Sequence, residues 1–129
     1  MASYVFGKPV QADFASAVER VTQALAAEGF GVLTEIDVAA TMKKKLGHEM
    51  PPYRILGACN PQLARQAIEA EPQIGALLPC NVVVRADAGG TVFVEFMDPD
   101  AVLSLVEHPA VADLAAEVKQ RLQRVMASL

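Results

Sequence analysis

Hydrophobic residues in the first quarter of the chain change from the spacing of a strand to that of a helix and back. Residues 4–10 predict a short strand. Apolar side chains then recur at the steps of four, three and four that mark one helical face: Phe14, Val18, Val21 and Leu25. Asp13 is a suitable N-cap for this helix and Gly29 a suitable C-cap. Residues 30–36 follow as a second predicted strand.

The next segment repeats this order of helix and strand. Asp37 is placed to cap a short helix that closes at Gly47, with three lysines in its last turn, where positive charge suits the helix dipole. Residues 53–59 predict a third strand. Asn60 is then an N-cap and Pro61 occupies the first helical position, where its missing N–H costs least. We predict that this helix ends before the next proline.

The last third of the chain predicts a hairpin followed by two helices. The valine-rich segments 80–85 and 91–97 are separated by a turn that contains two glycines. Asp98 should open a short helix, and the residue before Pro109 interrupts helical geometry. The final helix carries one apolar stripe: Val111, Leu114, Val118, Leu122 and Val125.

Composition excludes several classes of protein. With 129 residues, 53% of them hydrophobic and 20% charged, the chain predicts one folded domain over residues 1–129. A net charge of −4 and the lack of tryptophan argue against nucleic acid as a partner. No apolar run is long enough to cross a membrane, and the first residues lack a secretion signal. Two cysteines are too few for a disulfide scaffold, so we expect a cytoplasmic protein with reduced thiols.

Short motifs with known chemistry are missing from the sequence. It contains no dinucleotide-binding glycine fingerprint, no P-loop lysine and no serine nucleophile elbow. The two histidines are far apart, and neither cysteine has a partner at the spacing of a zinc site. These motifs therefore assign no activity.

The two cysteines occur in related surroundings, Cys59-Asn60-Pro61 and Pro79-Cys80-Asn81. Cys59 is expected at the end of a strand and just before a helix N-terminus, where the helix dipole favours a thiolate. If their strands are antiparallel, both cysteines lie at the same end of the sheet, whereas parallel strands would separate them. The pair is either a reactive or ligand-holding site or two small buried side chains.

A second candidate cluster consists of Glu35, Asp37 and Lys45. Residues two apart on a strand share a face, so the two carboxylates should project together. Lys45 is the lysine closest to the apolar stripe of its helix and could lean toward them. The alternative is a solvated lysine run and a helix cap. Tyr53 should share a strand face with Cys59, and its ring is more often part of a core than of a ligand site.

These segments together resemble a known family. The resemblance spans nearly the whole chain, in order, and rests on the following segments: 29–37, 43–47, 53–61, 78–82 and 98–99. They are similar to the small bacterial and archaeal proteins called "domain of unknown function 302". The resemblance implies an α+β fold with one helix-backed antiparallel sheet of about five strands, of the TATA-box-binding-protein-like type, commonly as a homodimer. It implies no activity, and the shared fold does not imply DNA binding.

Three functions remain open. The first is a dimeric binding or regulatory domain that holds a small molecule or a soft metal ion near the cysteines, with the following candidate residues: Glu35, Asp37, Lys45, Tyr53, Cys59, Asn60, Cys80 and Asn81. The second is a thiol-dependent enzyme or redox sensor, with Cys59 as nucleophile and Cys80 as resolving thiol. The third is a structural or interaction module whose thiols are buried and inert.

Overall fold

The strands and helices of the computed structural model, which describes residues 3–129, follow the order predicted from the sequence. Their bounds are β1 Val5–Val10, α1 Phe14–Ala27, β2 Gly31–Asp37, α2 Val38–Leu46, β3 Tyr53–Cys59, α3 Pro61–Ala70, β4 Cys80–Ala86, β5 Val92–Met97, α4 Pro99–Leu103 and α5 Pro109–Ala127. One element was not predicted, a 3₁₀ helix (η1) at Pro72–Leu77. No helix within the described residues is long and apolar enough to cross a membrane.

Short polar side chains begin the helices where the sequence predicted. The Asp13 carboxylate accepts a hydrogen bond from the Ser16 N–H at 2.8 Å, and the Asn60 side chain accepts one from the Leu63 N–H at 3.1 Å. Each bond satisfies an amide that the first helical turn leaves without a partner. At the C-terminal end of α2, Gly47 has a φ of 64°, the left-handed conformation in which glycine is favoured.

All five strands form a single antiparallel sheet in the order β1-β5-β4-β3-β2. The β4–β5 hairpin therefore lies at the centre, flanked by β1 on one side and β3 on the other. This arrangement confirms the α+β class and the helix-backed antiparallel sheet. The more specific TATA-box-binding-protein-like fold stays a prediction of the resemblance.

Alternate residues of the central strands point toward the helices and are buried. The main core joins these strands to α1 and α5 through the following side chains: Val82, Val84, Val92, Val94, Phe96, Val21, Leu25, Leu122 and Val125. A second hydrophobic cluster joins α3, η1, α4 and the first half of α5: Ala67, Ile74, Leu103, Val111 and Ala115. Since α5 contributes to both clusters, the long final helix connects the sheet to the second cluster.

The opposite face of the sheet carries half-exposed side chains. One row of residues in register crosses this face from edge to edge: Ile36, Ile55, Val83, Glu95 and Gly7. Arg85 lies on the same face, where its guanidinium donates two hydrogen bonds to Glu95, at 2.6 and 3.2 Å, and stacks over the Phe93 ring at 4.6 Å. This face is mostly apolar, and its central charges neutralise each other.

Candidate functional site

An apolar pocket lies where the two hydrophobic clusters meet. Its walls include Ala58 and Cys80 from the sheet and Val118 from α5, all members of the main core. Ala67 and Leu103 from the second cluster form the other side. The cavity volume is about 40 Å³, which is room for about three ordered waters or a small ligand group.

Both cysteines and Asn60 line this pocket. Cys59 is the last residue of β3 and Cys80 the first of β4, and the antiparallel register pairs Ala58 with Cys80. The structure therefore brings the two cysteines to the same end of the sheet, the antiparallel alternative considered from the sequence. Cys80 is buried, with 6% of its surface exposed, whereas Cys59 is half-buried.

Neither thiol has the lowered pKa that an activated nucleophile needs. Burial is the larger cause and the nearby Cys59 the smaller one, since two thiolates would repel each other, and together they raise the pKa of Cys80 to about 11. Burial also raises the pKa of Cys59. The predicted stabilisation of a Cys59 thiolate by the α3 N-terminus is therefore wrong. The Asn60 side chain already accepts the hydrogen bond from the Leu63 N–H, and desolvation dominates.

Asn60 is held on two sides, which explains its place beside the pocket. Its side-chain oxygen caps α3, and its amide nitrogen lies 2.8 Å from where a Cβ on Gly29 would be. Gly29 has a φ of 86°, so it needs to be glycine both for its backbone conformation and for the space that Asn60 occupies. Asn81, by contrast, is exposed. It follows Cys80 on β4 and lies opposite Gly57 of β3.

The predicted cluster around Glu35 and Asp37 lies away from the pocket, and its cation is Arg54. Arg54 donates a hydrogen bond to Glu35 at 2.7 Å and lies 3.7 Å from Asp37. No ion pair within residues 3–129 involves Lys45, which is exposed. The alternative of a solvated lysine and a helix cap therefore holds, since Asp37 caps α2 by accepting a hydrogen bond from the Ala40 N–H at 2.9 Å. The carboxylates meet Arg54 in a cross-strand contact instead of Lys45. Sequence reasoning missed Arg54, although antiparallel pairing places it directly opposite Asp37.

Tyr53 also lies away from the cysteines. It is the first residue of β3 and Cys59 is the last, so the strand separates them by about 20 Å. The single site expected from the sequence thus divides into two places. The thiol pocket holds Cys59, Asn60 and Cys80, and the other end of β3 holds Tyr53 and the Arg54 cluster.

The side chains that could act as metal ligands also limit which ligands a single chain can bind. Among residues 3–129, no group of three or more His, Cys, Asp and Glu side chains is placed to hold a metal ion. Two thiols leave a tetrahedral soft-metal site half complete. The thiol pocket is lined almost entirely by carbon and sulfur atoms and suits a neutral, apolar molecule.

Fold and pocket together define a small α+β protein with an apolar, thiol-lined pocket at one end of an antiparallel sheet. The family model described as "Domain of unknown function DUF302" matches residues 6–129. The chain therefore belongs to the DUF302 family. It is similar to the crystal structure of an uncharacterized conserved DUF302 protein from Bacillus stearothermophilus, with 29% sequence identity, a TM-score of 0.90 and coverage of 98% of each chain. No match is found among curated proteins.

Proposed function

We propose that this chain is a non-catalytic binding domain for a small, uncharged, predominantly apolar molecule, held in the thiol pocket. The observation that carries the proposal is that Cys59, Asn60 and Cys80, singled out by their sequence motifs, line one apolar pocket between the two hydrophobic clusters. Concave apolar sites with a few polar groups are the usual form of ligand sites.

The chemistry of the pocket favours binding without a thiolate. Both thiols have a raised pKa, so they are protonated at neutral pH and act as soft, polarisable packing atoms. Asn60 supplies the main polar side chain of the lining. A soft-metal site would instead require further ligands, for example from a second copy of the chain.

Binding can be tested with two probes of equal chain length, butanol and butyrate. Butanol should bind with a Kd of about 1–10 mM, as expected for so small a ligand. It should shift the backbone NMR signals of Ala58, Leu63, Cys80 and Val118, which surround the pocket. Butyrate should not, because burying its carboxylate in an apolar site is costly.

A pair of alanine-to-leucine variants provides the control for this experiment. Ala67→Leu fills the pocket from α3 and should abolish the butanol shifts, whereas Ala112→Leu, at an exposed position of α5, should leave them unchanged. Equal binding of butanol to both variants, or shifts that do not cluster around the pocket, would contradict the proposal.

We also propose that two copies of the chain associate through the open face of the sheet. The face is mostly apolar, and its central Arg85–Glu95 pair is internally neutralised, so a second copy meets no unpaired charge there. Val83 lies on the central strand, between Ile55 and Glu95. From composition we also propose a cytoplasmic location and no nucleic-acid partner.

The substitution Val83→Lys should convert the dimer to a monomer in sedimentation velocity experiments. In the monomer the new ammonium lies opposite Glu95 and is tolerated, whereas in the dimer it would be buried at the interface. Leu105→Lys, at an apolar position that is 75% exposed outside this face, should not change the sedimentation coefficient. A wild-type chain that sediments as a monomer would refute the association.

A further inference from the structure

The thiol pocket shares two of its lining residues with a second depression on the surface. An outer groove runs between α3 and α5, and Leu63 and Leu114 line both this groove and the pocket. Leu63 lies on α3 and Leu114 on α5, and both are half-buried. These two side chains are therefore the layer between the solvent-open groove and the apolar interior.

The walls that the sheet and the two hydrophobic clusters form are less suited to opening. Ala58 and Cys80 are paired with each other within the sheet, so moving them would break strand hydrogen bonds. Leu103 and Val118 are buried in the two hydrophobic clusters. A half-buried leucine can change rotamer without disturbing the backbone, and such motions are fast.

We propose that small molecules reach the thiol pocket from the outer groove by passing between Leu63 and Leu114, and that this route admits neutral and cationic molecules better than anions. The route deepens the function proposed above and rests on the same pocket. When the gap between Leu63 and Leu114 is closed, Cys80 is kept away from solvent. When the gap opens, any molecule small enough to pass can reach that thiol.

The charge preference follows from the residues that border the groove. Glu69, Asp113 and Glu117 line it. Arg65 pairs with Glu69 at 2.9 Å and Arg121 with Glu117 at 3.3 Å. Within residues 3–129, Asp113 takes part in no ion pair. The groove thus has a net negative charge, which repels an approaching anion, and salt should weaken this effect.

The rate at which Cys80 reacts with methanethiosulfonate reagents tests the route. The reference protein carries Cys59→Ser, so that mass spectrometry reports Cys80 alone. The Cys80 thiolate attacks the sulfenyl sulfur, a mixed disulfide forms and methanesulfinate leaves, so all rates are compared at one pH. With the neutral methyl reagent, Leu63→Ala and Leu114→Ala should each react about tenfold faster than the reference.

Two further variants distinguish this route from its alternatives. Leu78→Ala opens the wall of the pocket on the Pro79 side, and Leu63→Phe should close the gap between α3 and α5. We expect no acceleration from Leu78→Ala and slower labelling from Leu63→Phe. If Leu78→Ala alone accelerates the reaction, molecules enter past Pro79 and the proposal is overturned.

Amide exchange at Val94, a fully buried residue of β5, controls for general unfolding. Faster labelling with unchanged exchange at Val94 supports a local opening, whereas a parallel increase in both would show that the leucine variants only destabilise the fold. Failure of butanol to bind, together with labelling that depends on Leu63 and Leu114, would reject the proposed function and retain the route.

The charged reagents test the second part of the proposal. The cationic aminoethyl reagent should label Cys80 at least about threefold faster than the anionic sulfonatoethyl reagent at low salt, relative to their rates with a free thiol. Asp113→Asn should reduce this ratio. A ratio that neither Asp113→Asn nor added salt changes would contradict a role for the groove.

Discussion

Replacing Cys80 with alanine should flatten the loss of stability that the wild-type protein shows at alkaline pH. Cys80 is buried, and its pKa is raised from 9.0 to about 11, first by desolvation and second by the charge of Cys59. The folded protein therefore resists forming this thiolate, whereas the unfolded chain forms it readily. Deprotonation consequently favours the unfolded state.

The sign and the pH range of this effect follow from the pKa of Cys80 in the unfolded chain, 9.0, and in the folded protein, about 11. Below pH 9 the thiol is protonated in both states, and its full contribution to the free energy of unfolding is present. That contribution is lost as the pH rises from 9 to about 11. A shift of this size corresponds to about 2–3 kcal/mol.

The measurement is the free energy of unfolding in urea between pH 8 and about pH 11.5, in a reducing buffer, for the wild type and Cys80→Ala. All other ionisable side chains are common to both proteins, so their contributions cancel in the difference. The difference should favour Cys80→Ala increasingly as the pH rises. Cys59→Ser should retain most of the wild-type loss, because burial is the larger cause. A pH-independent difference would show that Cys80 is accessible in the folded protein.

The order of strands and helices could be predicted because local signals agree with the fold. Asp13, Asn60 and Asp98 each accept a backbone hydrogen bond at the start of the helix where the sequence placed them. The turn between β4 and β5 has the glycines of a hairpin, and Gly90 adopts a φ of 86°. Each signal involves residues close in sequence, so one sequence is enough to detect it.

The 3₁₀ helix η1 could not be predicted by the same means. It is six residues long, too short for a periodic pattern, and only Ile74 is buried. That side chain is ordered by the second hydrophobic cluster, which brings together α3, α4 and α5. Such a contact depends on the tertiary fold and leaves no local signal.

The candidate site was partly predictable for a related reason. The cysteines meet because β3 and β4 are antiparallel, and their motifs marked the ends of those strands. The pocket also needs Leu63 from α3 and Val118 from α5. Val118 belongs to the predicted apolar stripe of its helix, and neither residue marks a site until the helices are packed. Arg54 was missed because its partners Glu35 and Asp37 lie on the neighbouring strand, in a register that a bulge near Thr34 shifts.

Replacing Gly57 with alanine should destabilise the protein by about 2–3 kcal/mol. Gly57 lies in the middle of β3 and is buried, next to the pocket residue Ala58. A Cβ added there would clash with the Thr34 hydroxyl oxygen and lie 2.8 Å from the Pro79 ring, closer than van der Waals contact allows. Glycine inside a strand often marks such a close approach.

Thr34→Ala provides a double-mutant cycle for this prediction. It removes the hydroxyl that the new Cβ meets, and the remaining Thr34 Cβ lies at an ordinary 3.5 Å, so Gly57→Ala should cost less in that background. The contact with Pro79 remains, so recovery should be incomplete. Gly31→Ala, on the adjacent strand β2 with no atom within 4 Å of the added Cβ, should be neutral or slightly stabilising.

The effect of Gly57→Ala on binding should exceed what lost stability explains, because Pro79 also forms a wall of the thiol pocket. Displacing the proline ring changes the shape of that wall, so butanol should bind more weakly to the variant even where it is fully folded. Urea unfolding and butanol titration of the same samples separate the two effects. Wild-type stability in Gly57→Ala would mean that Thr34 and Pro79 can both move aside at little cost, and the pocket wall would then be adaptable rather than fixed.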